Sequence, residues 1–455
     1  MNPRLRIVAG VAALTVATVI AGAYLNPPNL LRVGANYSAK IICSNVFLAS
    51  REVEAILHDD IQAPGDALLT AMRARVDHDQ GIVRAGFFGL FGQGLAVHRP
   101  GTGCTVVPDG QIALASAHQF KPSPIPTPAR NVEWPLGASA VTHPEVAKLL
   151  ADDTLPGPGF RAVAVIHKGK LVGERYVPGF TADTPLLGWS MTKTVTAALI
   201  GLQVGAGKTA LERKGLWPTK EGDGRDGIAL TDLLSMTPGL RFNEGYGSVS
   251  DVTRMLYLEP DMAAYARSMP LDHPPGTTWN YASGTTLILS RLWQDAVGAS
   301  SLAYPHEALF MPLGMSTAVI EADARGTYVG SSYMYASAQD WARFGQFLLQ
   351  DGVWNGQRLL PEGFVASMQV LVPASQGHYG AGQTWRTGPN ARNGSDGSEA
   401  KFDLPKDTYW MSGHDGQTVA IIPSRQLVVV RLGLTPSRLG YQPQALLAKL
   451  VHVLN

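Results

Sequence analysis

The 455 residues carry a formal net charge of +1, with 45% hydrophobic and 16% charged residues. That balance excludes a disordered, collagen-like or strongly basic chain, so nucleic acid is not an expected partner, and the length suffices for a large core. The 49 glycines and 31 prolines call for many tight turns, as in a mixed α and β protein.

The chain opens with MNPRLR, and the nineteen residues Ile7 to Leu25 that follow contain no charge. At about 1.5 Å per residue such a run just crosses a bilayer core of about 30 Å. The arginines before it set the N-terminus in the cytoplasm and the rest outside. Residues 1–25 are therefore expected to be a single-pass membrane anchor, with the rest of the chain in the periplasm. Ala21-Gly22-Ala23 offers the alternative of a cleaved signal sequence and a secreted protein. Cys43 and Cys104 come next, and in an exported chain the pair reads as a disulfide, with two buried free thiols as the alternative. Two cysteines exclude a four-cysteine zinc site.

Residues 26–130 form an extension with strand-like pieces, GLAVHRP and CTVVPDG. Prolines at 122, 124, 126, 128 and 135 mark a semi-rigid linker into a module spanning 131–455. RAVAVIHKGKLVGERYV predicts two strands around a turn at Lys168-Gly169. A helix starts at Ser190, and further helices follow at LTDLLSM, TTLILSRLWQDAVG and SAQDWARFGQFLLQDG. The last opens with Ser337 as cap and Asp340 three residues on, a variant of the capping box. QTVAIIPSRQLVVVRLG predicts two strands around Pro423-Ser424, and YQPQALLAKLVHVL a closing helix. Strands at both ends of the module and helices between predict an α+β fold, its sheet built from both termini and flanked by helices with a helical subdomain.

Three pieces carry chemistry. Ser190 and Lys193 share one face of the apolar helix in LLGWSMTKTVTAALIGLQ, so the amine reaches the hydroxyl. Free N–H groups at the helix start favour charge developing on an oxygen, and burial disfavours the charged lysine, which makes it a base. Taken alone the pattern is weak, since Ser398-Glu399-Ala400-Lys401 repeats it in a polar loop. The second piece is Tyr281-Ala282-Ser283 at the start of an apolar helix, where a tyrosine hydroxyl relays a proton beside the lysine and Ser283 joins the network. The third is His414-Asp415-Gly416 running into a strand, with Gly416 letting a ligand approach and the Gln417 N–H joining that of Ser190 as an oxyanion hole. GWSMT lacks the second glycine of the nucleophile elbow, GAGKT the first glycine of a phosphate loop, and no H-E-x-x-H zinc motif occurs.

In order and spacing the three pieces resemble the serine β-lactamase and penicillin-binding-protein superfamily, from about residue 145 to the end. LLSMTPGLRFNEGYGSVSDVTRML, PPGTTWNYASG, GSSYMYASAQDWARFG and SGHDGQTVAIIPSRQLVVV resemble most the class C-like esterase and amidase branch that includes 6-aminohexanoate-dimer hydrolases. The resemblance implies a β-lactamase/transpeptidase-like fold and an acyl-enzyme on Ser190, with Lys193 as proton acceptor and Tyr281 as general acid/base. His414 would line the site where lactamases commonly carry lysine, and Tyr246 would match a mobile substrate-loop tyrosine. It also implies no metal or organic cofactor. Ser283 in place of asparagine and His414 in place of lysine weigh against β-lactams and toward esters or small amides. The rival readings are a β-lactamase or D-Ala-D-Ala carboxypeptidase and a non-catalytic envelope binding protein.

Overall fold

The computed structural model describes residues 15, 18, 21, 22, 24–63, 67–220, 222–390 and 400–454. Most of the apolar run Ile7–Leu25, and the Ser398 of the second serine–lysine pattern, lie outside the described residues. Among the described residues no helix is long and apolar enough to cross a membrane. The described residues fold as two compact units. One draws on Met1–Arg99, Cys104–Ala117 and Gly245–Pro260, the other on Pro100–Gly103, His118–Glu244 and Asp261–Asn455.

In the first unit, helix α1 (Asn29–Phe47) lies along a four-stranded antiparallel sheet, β1 (Met72–Asp77), β2 (Ile82–Phe87), β3 (Phe91–Arg99) and β4 (Gly103–Val106). Glycine makes that contact possible: a Cβ at Gly94 would sit 2.2 Å from the Ala35 backbone. Buried Asn36 bridges three segments, its Oδ1 accepting from the Leu95 N–H at 3.1 Å and its Nδ2 donating to the Tyr257 carbonyl at 2.8 Å. Tyr257 belongs to a helix, Asp251–Leu258, that sequence order places in the middle of the module expected over 131–455. Cys43 of α1 and Cys104 of β4 are joined by a disulfide closing 61 residues of chain. Loop-closure entropy makes such a link worth about 4 kcal/mol.

The second unit is built on a seven-stranded antiparallel sheet. Among its elements are α2 (Pro144–Ala151), β5 (Phe160–His167), β6 (Lys170–Tyr176), β7 (Leu186–Leu187), α3 (Thr192–Gly205), α4 (Ser283–Val297), β8 (Val319–Ile320), β9 (Met334–Ala336), α5 (Ala338–Leu349), β10 (Tyr379–Gly380), β11 (Thr384–Trp385), β12 (Tyr409–Gly413), β13 (Gln417–Ile422), β14 (Leu427–Gly433) and α6 (Gln444–Val453). The sheet order is β10-β11-β12-β13-β14-β5-β6, so strands from the two ends of the module meet where β14 pairs with β5, Val163 opposite Arg431. Lys168 and Gly169 both have positive φ, the backbone a tight two-residue hairpin requires. One face of the sheet packs on α2 and α6 through Val146, Leu150, Leu446 and Leu450 against Val163, Val165, Ile422 and Val429. The other meets α5 at Gly345, where a Cβ would lie 2.6 Å from Val428. Ser337 caps α5 by accepting from the Asp340 N–H. The Asp340 carboxylate does not complete a reciprocal box: it accepts from Thr317 and Arg343 instead.

Candidate active site

Ser190 sits in a tight 3-10 turn, Trp189–Met191, that feeds α3; the α-helix itself begins two residues later than the sequence suggests, at Thr192. β7 pairs with β9, and the Gly188 N–H donates to the Met334 carbonyl at 2.9 Å, which fixes the entry to the turn. Trp189 takes a left-handed φ of 48°, a strained backbone for a bulky residue that costs on the order of 1–3 kcal/mol and is held by surrounding packing. The result is a half-exposed serine on the rim of a buried helix.

Lys193, one helical turn on, is 1% exposed. Its Nζ donates to Ser190 Oγ, to Ser283 Oγ and to the Ser331 carbonyl, each at 3.0 Å. Those three bonds use all three protons of an ammonium, and among the described residues no carboxylate is paired with it. The charge is answered one bond further out. Ser283 Oγ donates to Glu244 Oε1 at 2.5 Å and its N–H donates to Oε2 at 2.8 Å. Burial pushes the Glu244 carboxyl above the usual carboxylate range, against the opposing pull of Lys193, the two Ser283 bonds and His414. Ser190, Lys193, Ser283 and Glu244 are thus one chain of hydrogen bonds.

Tyr281 presents its ring to the lysine, with Nζ 4.7 Å from the centroid; no hydrogen bond joins its hydroxyl to Ser190 or Lys193. The ring belongs to an aromatic wall with Trp279, Tyr379 and Trp385, centroids 4.8 to 6.4 Å apart. The sequence expectation of a hydroxyl beside the lysine is replaced here by a cation–π contact.

The third motif lies against the Ser190 turn, since a Cβ at Gly413 would come within 2.2 Å of the Gly188 carbonyl. The exposed His414 ring meets Trp189 edge-on at 5.4 Å, and its Nε2 is 3.4 Å from Asp415. Gly416 has a φ of 83°, and the room left by its missing Cβ is filled by Arg431 Nη1 at 2.9 Å and by Thr435, not by open space for a ligand. The Gln417 side chain is committed to the fold: Nε2 donates to the His414, Asp415 and Gly433 carbonyls while Oε1 accepts from the Gly433 N–H. With Arg431 Nη1 on the Gly416 carbonyl and the Thr435 N–H on that of Asp415, these bonds clamp the turn that leads into Gln417. Tyr246 belongs to the first compact unit, two residues along the chain from Glu244.

Sequence reasoning missed Glu244 and Ser331. Glu244 had a signal, being the sole acid between Asp232 and Asp251 and lying in a glycine-rich stretch. Ser331 had none, because its contribution is a backbone carbonyl.

The beta-lactamase family profile matches residues 153–445, well over half of the chain. The chain belongs to the beta-lactamase family. A 6-aminohexanoate-dimer hydrolase of Paenarthrobacter ureafaciens is 24% identical to this beta-lactamase-family chain over 221 residues, 46% of this chain and 56% of that protein. An uncharacterized protein of Alkalihalophilus pseudofirmus is 32% identical over 103 residues, 22% of this chain and 29% of that protein. The chain therefore spans less than two thirds of either curated relative. A solved structure from Bacillus anthracis, described provisionally as a 6-aminohexanoate-dimer hydrolase, superposes with a TM-score of 0.54 at 23% identity, covering 68% of this chain and 80% of that one. Together these establish a mixed α and β, beta-lactamase/transpeptidase-like fold with antiparallel sheets.

Proposed function

We propose that the chain is an exported serine hydrolase that cleaves esters or small amides through an acyl-enzyme on Ser190. The observation that carries the reading is the hydrogen bond from buried Lys193 to Ser190, with Ser283 and Glu244 behind it. A lysine whose three protons are all engaged is an acid until it sheds one. Ser283 provides the outlet: it accepts a proton from Nζ as it gives its own to Glu244 Oε1. The raised Glu244 pKa favours that transfer, and the neutral amine then accepts the Ser190 proton as Oγ attacks the carbonyl. The N–H groups of Ser190 and Gln417 serve as the oxyanion donors, each worth about 3 kcal/mol. Tyr281 acts as general acid toward the leaving group, and water releases the acyl chain.

Substrate class follows from the third motif. The exposed residue at 414 is a histidine and not the lysine that lactamases commonly carry there, which supports esters and small amides over β-lactams. Export and anchoring are supported by the uncharged run Ile7–Leu25 and by the Cys43–Cys104 disulfide, a bond that persists in oxidising compartments. Intact-mass spectrometry with a fluorophosphonate probe tests the reading. One adduct on wild type and none on Ser190→Ala is expected, whereas no adduct on folded wild type would overturn it. Turnover of short-chain esters set beside a chromogenic cephalosporin separates the esterase from a lactamase.

A further inference from the structure

The first compact unit has two unlike ends. At one, the β2–β3 hairpin tip shows Phe88 and Leu90 to solvent, 59% and 57% exposed. Beside it are Tyr24, Leu25 and Leu30, all exposed, with Leu25 at 81%. Tyr24 meets Phe91 edge-on at 6.5 Å, and a Cβ at Gly92 would come within 2.7 Å of the Leu31 carbonyl. Tyr24 and Leu25, the last residues of the apolar run Ile7–Leu25, therefore lie beside the hairpin tip. From there α1 runs along β3 to the opposite end, where Phe47 stacks on His98 at 4.9 Å and meets His78 edge-on.

Charge is graded along the same axis. Arg75 and Arg84 are directly opposite each other across β1 and β2, and Arg73, opposite Gly86, is on the same face one step nearer the tip. All three are exposed, and among the described residues Arg75 and Arg84 have no ion pair. Like charges at directly opposed positions destabilise a sheet unless something anionic meets them. Asp77 and Asp79 are at the far end.

We propose that this end of the unit docks on a bilayer containing anionic lipid, the Phe88–Leu90 tip entering the interface beside the emerging N-terminal segment and the three arginines meeting the headgroups. Aromatic and apolar side chains at the interface with arginines just above them are what a membrane surface selects, and the length and end point of the apolar run identify that surface as the occupant. The inference rests on reading residues 1–25 as a retained anchor.

The test uses the full chain with its disulfide intact, carrying an environment-sensitive nitrobenzoxadiazole label on a single added cysteine. Leu90→Cys reports the tip, and Asp79→Cys the far end, about 20 Å away at strand rise. The protein is reconstituted into vesicles of phosphatidylcholine with phosphatidylglycerol and floated. In the floated protein, the label at 90 is expected to be quenched by brominated lipid and shielded from iodide, and the label at 79 to show the reverse. Arg75→Glu with Arg84→Glu should return iodide quenching at 90 to the level found in phosphatidylcholine alone. Flotation with equal iodide quenching at 90 and 79 would overturn the docking while leaving the anchor standing. Failure to float would remove the anchor and the docking with it. Quenching at 90 that ignores both lipid charge and the double variant would overturn the role of the arginines.

Discussion

Two buried cations in the second unit, Lys193 and Arg343, are each 1% exposed, yet their surroundings assign them different work. Arg343 meets its counter-charge directly, with Nη1 on Asp340 Oδ1 at 2.9 Å, and its other nitrogens donate to the Pro135 and Gly137 carbonyls. Its partners fix a permanent charge and tie the end of the proline-rich segment to α5. Lys193 is held by two hydroxyls and a carbonyl, with its carboxylate one hydroxyl away. A proton can leave Lys193 along that path, whereas a guanidinium keeps its protons throughout the accessible pH range. Burial is shared, so partner chemistry separates a structural cation from a candidate catalytic one.

The comparison breaks if the two residues respond alike to an apolar replacement of similar length. Lys193→Met should abolish fluorophosphonate labelling and ester turnover, a loss of at least the 10² to about 10⁴ expected of a general base, with the urea midpoint near that of wild type. Arg343→Met should do the opposite. It leaves Asp340 buried without its cation, for a loss of about 3–5 kcal/mol in urea unfolding, while protein folded at low temperature still labels at Ser190. Parallel loss of labelling and stability in both variants would show the distinction to be false.

Sequence makes one half of this contrast visible and hides the other. The Ser190–Lys193 spacing and the apolar helix around it forecast the short Nζ–Oγ contact, because i and i+3 share a helix face whatever the tertiary context. That one sheet joins the two ends of the module was equally legible from two apolar hairpins, although which strands meet, β14 with β5, was not. What is gathered from far along the chain was not. Glu244 reaches Ser283 across 39 residues and the Ser331 carbonyl reaches Lys193 across 138, and no local periodicity encodes either meeting. Gly416 shows a subtler limit. Its glycine character was plain, but which neighbour occupies the space of the missing Cβ depends on Arg431 in the next strand.

Tyr281 sharpens the comparison at the level of one atom. Tyr281→Phe keeps the ring beneath Lys193 and removes only the hydroxyl, so the cation–π contact and the stability should survive. If the hydroxyl serves as general acid, turnover of a poor-leaving-group ester or amide falls about 10²-fold or more. Esters with good leaving groups, which need no acid, should be spared. Equal loss with both kinds of ester would instead place the hydroxyl on the nucleophile side.

Glu244→Gln is the mildest change, and it reads the proton path itself. Glutamine keeps an oxygen for Ser283 but cannot take up a proton, and losing one charge-assisted bond is worth about 1.5–3 kcal/mol, or roughly 10- to 100-fold in rate. The pH dependence carries more information than that loss. The Glu244 pKa is raised in the folded protein, so the fold favours its protonated form, and the stability this contributes is lost as pH rises through the folded value. Activity has the opposite sign, because only the carboxylate can accept the Ser283 proton. Wild-type kcat/KM should therefore climb with pH through a midpoint above the usual carboxylate range, and Glu244→Gln should lose that limb while gaining relative stability at the alkaline end. An ascending limb that persists unchanged in the variant would return the base role to Lys193 alone, with no proton passing through Ser283 to Glu244, and Lys193 would still differ from Arg343 in exchanging its proton.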